Sequence, residues 1–252
     1  MRYFTMAVAI LLGFSVGLSG TVGAADAPAG KSGDQSPAIA SKPPSSGSLV
    51  YNPPKRGVPG GRVGGGTRGG ESGPVMLPLA PDHVGLTTQT QPTLYWYLSK
   101  PTNYPIEFTL VDVKATTPIL ERRLSSSNQA GIQAIRLADY GISLVPGVTY
   151  RWYVSLIYGS EASSRDLVAG GAMEVAGGTV ELVDQAEARR LTDTVKGDQV
   201  QRFAEAGLWY DAINAVSDQI QGHPQDRMFR MQRASLLEQV GLKEVAEYEA
   251  QQ

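Results

Sequence analysis

Three arginines, Arg56, Arg62 and Arg68, punctuate the glycine-rich run KRGVPGGRVGGGTRGG at residues 55–70, and no acidic residue falls between Asp34 and Glu71. Guanidinium groups beside unencumbered backbone amides could bind an anion or an anionic partner. The run lacks the phosphate-loop pattern G-x-x-x-x-G-K-[ST], and no strand clearly precedes it. A structural part therefore competes with the binding one, either as an ordered strap along a sheet edge or as plain linker. Arginine-glycine clusters can also bind RNA. With a net charge of -2 the chain offers no electrostatic case for nucleic acid.

Other chemistry is sparse. The two histidines, His83 and His223, have no acidic or cysteine neighbours at metal-ligand spacing, and a zinc site or a Ser-His-Asp triad would need one of them at its centre. His83 reads as a turn residue and His223 as a helix end beside Pro224. The carboxylates Glu107, Asp112, Glu121, Asp139, Glu161, Asp166 and Glu174 are scattered singly, which is not the pairing a glycosidase uses. No catalytic residue, metal or cofactor is predicted. Tyr95, Tyr97 and Tyr153 alternate away from the inward residues of their strands, so they could form an aromatic row for sugar rings or for a protein. Packing beneath the C-terminal helices is the competing reading.

The elements that would position these residues are clearer. In Leu144 to Val154 a Pro-Gly turn leads into an alternating strand, with Tyr150, Trp152, Val154 and Leu156 on one face and Thr149, Arg151, Tyr153 and Ser155 on the other. A tyrosine here that bonds back to the preceding turn forms the corner of an immunoglobulin-like sandwich. Further strands are expected over Thr93 to Leu98, Tyr104 to Asp112, Pro118 to Leu124, Gly131 to Leu137 and Leu167 to Val175, with a first one between Val75 and Thr88. Seven strands in about a hundred residues match the immunoglobulin and fibronectin type III class. Either Trp96 or Trp152 would be the buried core tryptophan.

From Val183 the period becomes helical. Ala206-Gly207-Leu208 repeats as Val240-Gly241-Leu242, and Ala212 and Phe203 pair with Ala246 and Leu237 at the same offset. That offset matches the length of a tetratricopeptide repeat, about 34 residues. Gly207 would make the turn, and Pro224 would end the second helix. The predicted fold is thus mainly β with α: a fibronectin-like sandwich over residues 75–180, then a tetratricopeptide-like helical hairpin within 181–252.

Ahead of these lie Arg2, an uncharged apolar run from Met6 to Leu18, and small residues ending at Ala25, the pattern of a secretory signal peptide over residues 1–24. The run is shorter than the roughly 20 residues of a spanning helix, and no later segment is apolar for that length. Residues 25–74, rich in Ser, Pro, Gly and Ala, are expected to be a disordered linker that includes the basic glycine run. The chain has no cysteine, so neither a lipoprotein anchor nor a disulfide is available, and its core alone must stabilise it.

The ordered motifs GGRVGGGTRGG, VGLTTQTQPTLYWYL, LVPGVTYRWYVSLI and RFAEAGLWYDAI resemble the bacterial family catalogued as domain of unknown function number 928. The resemblance runs from about Tyr51 to Val245. It implies an exported protein of this layout, with no established activity and no catalytic residues to carry over. It also implies a cysteine pair where this chain has Glu71 and Tyr158, a staple missing here. The function expected is that of a non-catalytic protein-interaction or envelope-associated module, periplasmic or extracellular, with an envelope or secreted protein as partner. The alternative is a carbohydrate-binding module that uses the outer tyrosines on a polysaccharide.

Export is directly checkable: mass spectrometry of the exported protein should find its first residue at Ala25 or Asp26. A retained Met1 would contradict the leader.

Overall fold

The computed structural model describes residues 49–54, 61–64, 73–124, 129–159, 166–177 and 196–252. All of them fall within one compact unit, Pro44–Gln252. The expected signal peptide, Arg56, Arg68 and Glu71 lie outside the described residues.

Among the described residues eight strands form two sheets: β1 Met76–Pro78, β2 Gly85–Thr87, β3 Thr93–Leu98, β4 Ile106–Asp112, β5 Leu120–Leu124, β6 Gly131–Arg136, β7 Thr149–Leu156 and β8 Leu167–Val175. One sheet has the order β1-β3-β6 and the other β2-β8-β7-β4-β5, with every pairing antiparallel except β2 with β8. The single first strand expected between Val75 and Thr88 is instead two, one in each sheet. Pro81 lies between them and has no ladder donor, so the chain leaves one sheet there and joins the other.

Alternation along β7 buries Tyr150, Trp152, Val154 and Leu156 and leaves the intervening residues half-buried. Inward residues of both sheets, Leu94 and Trp96 among them, belong to one hydrophobic core with the helices. Tyr150 bonds back to the turn before its strand: its ring is buried and its hydroxyl accepts the Val145 N–H at 2.9 Å. On the edge strand β5, Arg122 stands opposite Phe108 and sets its guanidinium over the Tyr140 ring at 5.7 Å. A charge on the core side of an edge strand discourages pairing with another chain.

Among the described residues four helices follow: α1 Lys196–Glu205, α2 Trp209–Gly222, α3 Arg227–Gln239 and α4 Lys243–Gln251. They make two hairpins where one was expected. The offset seen in the sequence recurs in the backbone itself. Gly207 and Gly241 adopt φ 74° and 77°, the left-handed conformation that ends a helix and favours glycine. The N–H groups of Leu208 and Leu242 then reach back to the carbonyls of Phe203 and Leu237, each at 2.9 Å. α2 ends at Gly222, two residues before Pro224, and the Asp226 carboxylate caps α3 by accepting the Met228 N–H.

The repeat is laid along β3 in register. The Tyr95 hydroxyl donates to Asn214 Oδ1 on α2 at 3.0 Å, and the Tyr97 ring lies 5.0 Å from that of Tyr248 on α4. Asn214 and Tyr248 are separated by the same offset as Gly207 and Gly241. Successive tyrosines on one face of a strand thus meet successive repeat units.

Tyr150→Phe should lower stability by about 0.5 to 1.5 kcal/mol through the lost bond to Val145. Tyr150→Ala should lower it by about 3 to 5 kcal/mol, as for other truncated buried aromatics. Denaturant melts that show both variants as stable as the parent would contradict this corner.

Candidate functional site

Three consecutive residues at the start of α2 each bond to the β region. The Trp209 indole N–H donates to the Leu79 carbonyl at 2.9 Å. The Tyr210 hydroxyl accepts from the Trp152 indole N–H and donates to the Ala172 carbonyl, both at 3.0 Å. The Asp211 carboxylate accepts the Thr88 N–H at 2.9 Å and the Thr88 hydroxyl at 2.5 Å. Glycines make room for this plug. A Cβ on Gly85 would lie 2.7 Å from the Tyr210 ring, and one on Gly171 would lie 3.2 Å from its hydroxyl. Burial raises the Tyr210 phenol and the Asp211 carboxyl above their usual ranges, although the hydrogen bonds to each pull the other way.

A strap crosses the same region. The Asn52 N–H and side-chain amide donate to the carbonyls of Ala204 and Glu205 at the end of α1, each at 3.0 Å. The Gln239 side chain at the end of α3 accepts the Tyr51 N–H and donates to the Leu49 carbonyl. Tyr51 packs edge-on to Trp209 at 5.0 Å, and its hydroxyl lies 2.9 Å from His83 Nε2. Further along, Val63 pairs with Gly170 on β8. These contacts correct the expected linker over residues 25–74 at 49–54 and 61–64, which are bonded into the fold. The last carbonyls of a helix have no partner within it, and the strap supplies donors to them.

Arg62 belongs to this strap. Its Nη1 donates to the Val240 carbonyl at 2.8 Å and to the Ala80 carbonyl at 3.3 Å. Burial lowers its pKa, with Asp82 opposing. The guanidinium caps the negative end of the α3 dipole. An anion-binding part for Arg62 is therefore not what its contacts describe, and Arg56 and Arg68 lie outside the described residues.

Nor do the three tyrosines form an exposed row. Tyr95 and Tyr97 are 4% and 6% exposed beneath α2 and α4, whereas Tyr153 is half-buried on the other sheet, across from Gly170. Alternation correctly separated Tyr95 and Tyr97 from Leu94, Trp96 and Leu98, but the helices cover the face they share. His83 sits in the strap contact, and burial lowers its pKa. His223 caps α2 and lines a small cavity of about 180 Å³ with Gln199, Ala215, Asp218, Gln219 and Gly222. Among the described residues no group of three or more His, Cys, Asp or Glu side chains could hold a metal ion. No described helix is long and apolar enough to cross a membrane.

Sequence reasoning missed Tyr210, Asp211 and Thr88. The available signals were a tyrosine and an aspartate side by side where a helix enters the core, and glycines at 85, 170 and 171 inside strands, which mark close approach by other groups. A buried ion pair was also missed. Arg233 Nε and Nη2 donate to Glu249 Oε2 at 2.9 and 2.8 Å, and Nη1 donates to Ser217 Oγ at 3.0 Å, tying α2, α3 and α4 together.

A family model described as Domain of Unknown Function (DUF928) matches residues 63–250. No match was found among curated proteins. Among solved structures, a multi-domain immunophilin from Arabidopsis thaliana is 12% identical over 64% of this chain and 94% of its own, with a TM-score of 0.16. A likeness that slight carries no argument.

Tyr210→Phe keeps the ring and removes only the hydroxyl, leaving the Trp152 N–H without its acceptor and the Ala172 carbonyl without its donor. A buried group left unsatisfied costs about 1 to 3 kcal/mol. The variant should therefore lose about 2 kcal/mol or more in chemical denaturation. A loss below about 0.5 kcal/mol would mean that the hydroxyl is not a buried bridge.

Proposed function

The chain belongs to the DUF928 family, and from that premise we propose that it is an exported, non-catalytic protein-interaction module. In this reading an immunoglobulin or fibronectin-like sandwich carries a tetratricopeptide-like pair of hairpins. The sheet order, the parallel β2–β8 pairing and the Tyr150 corner support the first part. The recurrence of a left-handed glycine and helix end at Gly207 and again at Gly241 supports the second.

One observation carries the function. The helix α3 exposes Met228 and Met231 at 54% and 51%. Residues three apart on a helix share a face, and flexible, polarisable methionines adapt to varied partner surfaces. The partner is an envelope or secreted protein, in keeping with the leader read from residues 1–24. The carbohydrate alternative loses its main support, because two of its three tyrosines are covered.

Glutamine has nearly the shape of methionine without its affinity for apolar surface. Met228→Gln/Met231→Gln should therefore melt within about 0.5 kcal/mol of the parent, as exposed substitutions do. Affinity capture with the mature protein from its own envelope should lose its partner in the variant. Undiminished capture of the same partner would contradict α3 as the contact face.

A further inference from the structure

An open sheet ends in two edges, and an edge strand offers unpaired N–H and C=O groups to any strand that comes beside it. Three of the four edges in this fold are closed to that. β1 is three residues long and ends at Pro78, which has no N–H to give. β2 lies beneath α2, whose Tyr210 and Asp211 reach Gly85 and Thr88. β5 carries Glu121, Arg122 and Arg123 in succession. The fourth edge, β6, is six residues long and holds its register with β3 throughout. It has no proline, no bulge and no charge before Arg136 at its end.

The ladder shows which backbone groups of β6 point away from the sheet. The Leu137 N–H donates to the Pro92 carbonyl at 3.3 Å, and on the other side of β3 the Leu79 N–H donates to the Tyr95 carbonyl at 2.9 Å. Tyr95 and Tyr97 therefore bond toward β1, and Leu94, Trp96 and Leu98 bond toward β6. Their partners Ile135, Gln133 and Gly131 are used in that ladder, so Ile132, Ala134 and Arg136 turn their N–H and C=O groups outward. Among the described residues nothing bonds to those groups. Ala134 and Arg136 are exposed, and Ile132 is half-buried.

We propose that β6 is the edge through which two copies of this chain pair, antiparallel about a two-fold axis at Ala134. A strand edge reads backbone, so the side chains beside it select the occupant. Set against its own reverse, β6 finds a match. Only one register pairs all three outward residues with one another: Ala134 meets its own copy, and Ile132 meets the copy of Arg136. Each such pair exchanges two N–H···O bonds. The intervening position brings Gln133 against the copy of Ile135. No like charges face each other, the small alanines meet on the axis, and the Arg136 stem lies along Ile132. The two three-stranded sheets become one. Such self-matching is what a two-fold dimer requires. The contact is one strand wide, at the small end of specific interfaces, so the dimer should dissociate on dilution.

The test follows the full mature chain by sedimentation velocity over a dilution series that starts at millimolar protein, where the parent should pass from dimer to monomer. Ala134→Pro removes an N–H that the β3 ladder does not use, so it should melt with the parent. Its dimer dissociation constant should rise about tenfold or more, through the two hydrogen bonds lost on the axis. Met228→Gln/Met231→Gln should dimerise as the parent does, and loss of the dimer there would move the contact to α3 and overturn this pairing. Because the chain has no cysteine, a single introduced one reports the geometry. Opposed residues of a hydrogen-bonded antiparallel pair have Cα atoms about 5.5 Å apart, within the span of about 4.4 to 6.8 Å that a disulfide bridges. Ala134→Cys should therefore oxidise to a linked dimer faster than Thr116→Cys, whose site in the β4–β5 turn is also exposed. A parent that stays monomeric at millimolar concentration would overturn the proposal. So would a folded Ala134→Pro variant that dimerises like the parent, or linking of Thr116→Cys as fast as of Ala134→Cys. If Ala134→Pro fails to fold, the two cysteine variants decide.

Discussion

Helices and sheets hold together through the Tyr210 hydroxyl, which sits between an indole donor on β7 and a carbonyl acceptor on β8. It reaches them because Gly85 and Gly171 have no side chains to block its approach. A hydroxyl carries one proton and can accept others, so it satisfies both buried groups at once. Trp209 and Asp211 on either side bond to Leu79 and Thr88, and the first turn of α2 is thereby committed to the β region along its whole length. Among the described residues the helices form two hairpins, α1 with α2 and α3 with α4. Both hairpins reach β3, through Tyr95 with Asn214 and Tyr97 with Tyr248.

The strap follows from the same geometry. With α2 and α4 set against β3, the C-terminal ends of α1 and α3 present carbonyls, and Asn52 and Arg62 donate to them in bonds spanning more than a hundred residues of sequence, while the Gln239 side chain accepts the Tyr51 N–H. Arg62 shows how a residue suited to anion binding becomes structural once a helix end is within reach. No disulfide assists, since the chain has no cysteine.

Legibility in the sequence tracks how local the cause is. The corner at Tyr150 was readable because the turn and the strand it pins are adjacent in the chain, Val145 to Tyr150. The helical repeat was readable because each left-handed turn needs its own glycine, and Gly207 and Gly241 mark the period by themselves. The division of the first strand was not readable, because two strands of Met76–Pro78 and Gly85–Thr87 carry too few alternations to separate them. The plug was hidden for another reason: Tyr210 meets Trp152 across 58 residues and Asp211 meets Thr88 across 123. Tyr95 and Tyr97 were assigned to the correct face, but what covers that face is decided by the helices.

If the plug governs the fold, helices and sheets open together. Native-state hydrogen exchange measures this directly, because it assigns an opening free energy to each amide. Amides within α2 and within β7 should share one opening free energy, equal to that of global unfolding, and Tyr210→Phe should lower both by the same amount. Exchange of α2 through a cheaper opening that leaves β7 protected would contradict the account.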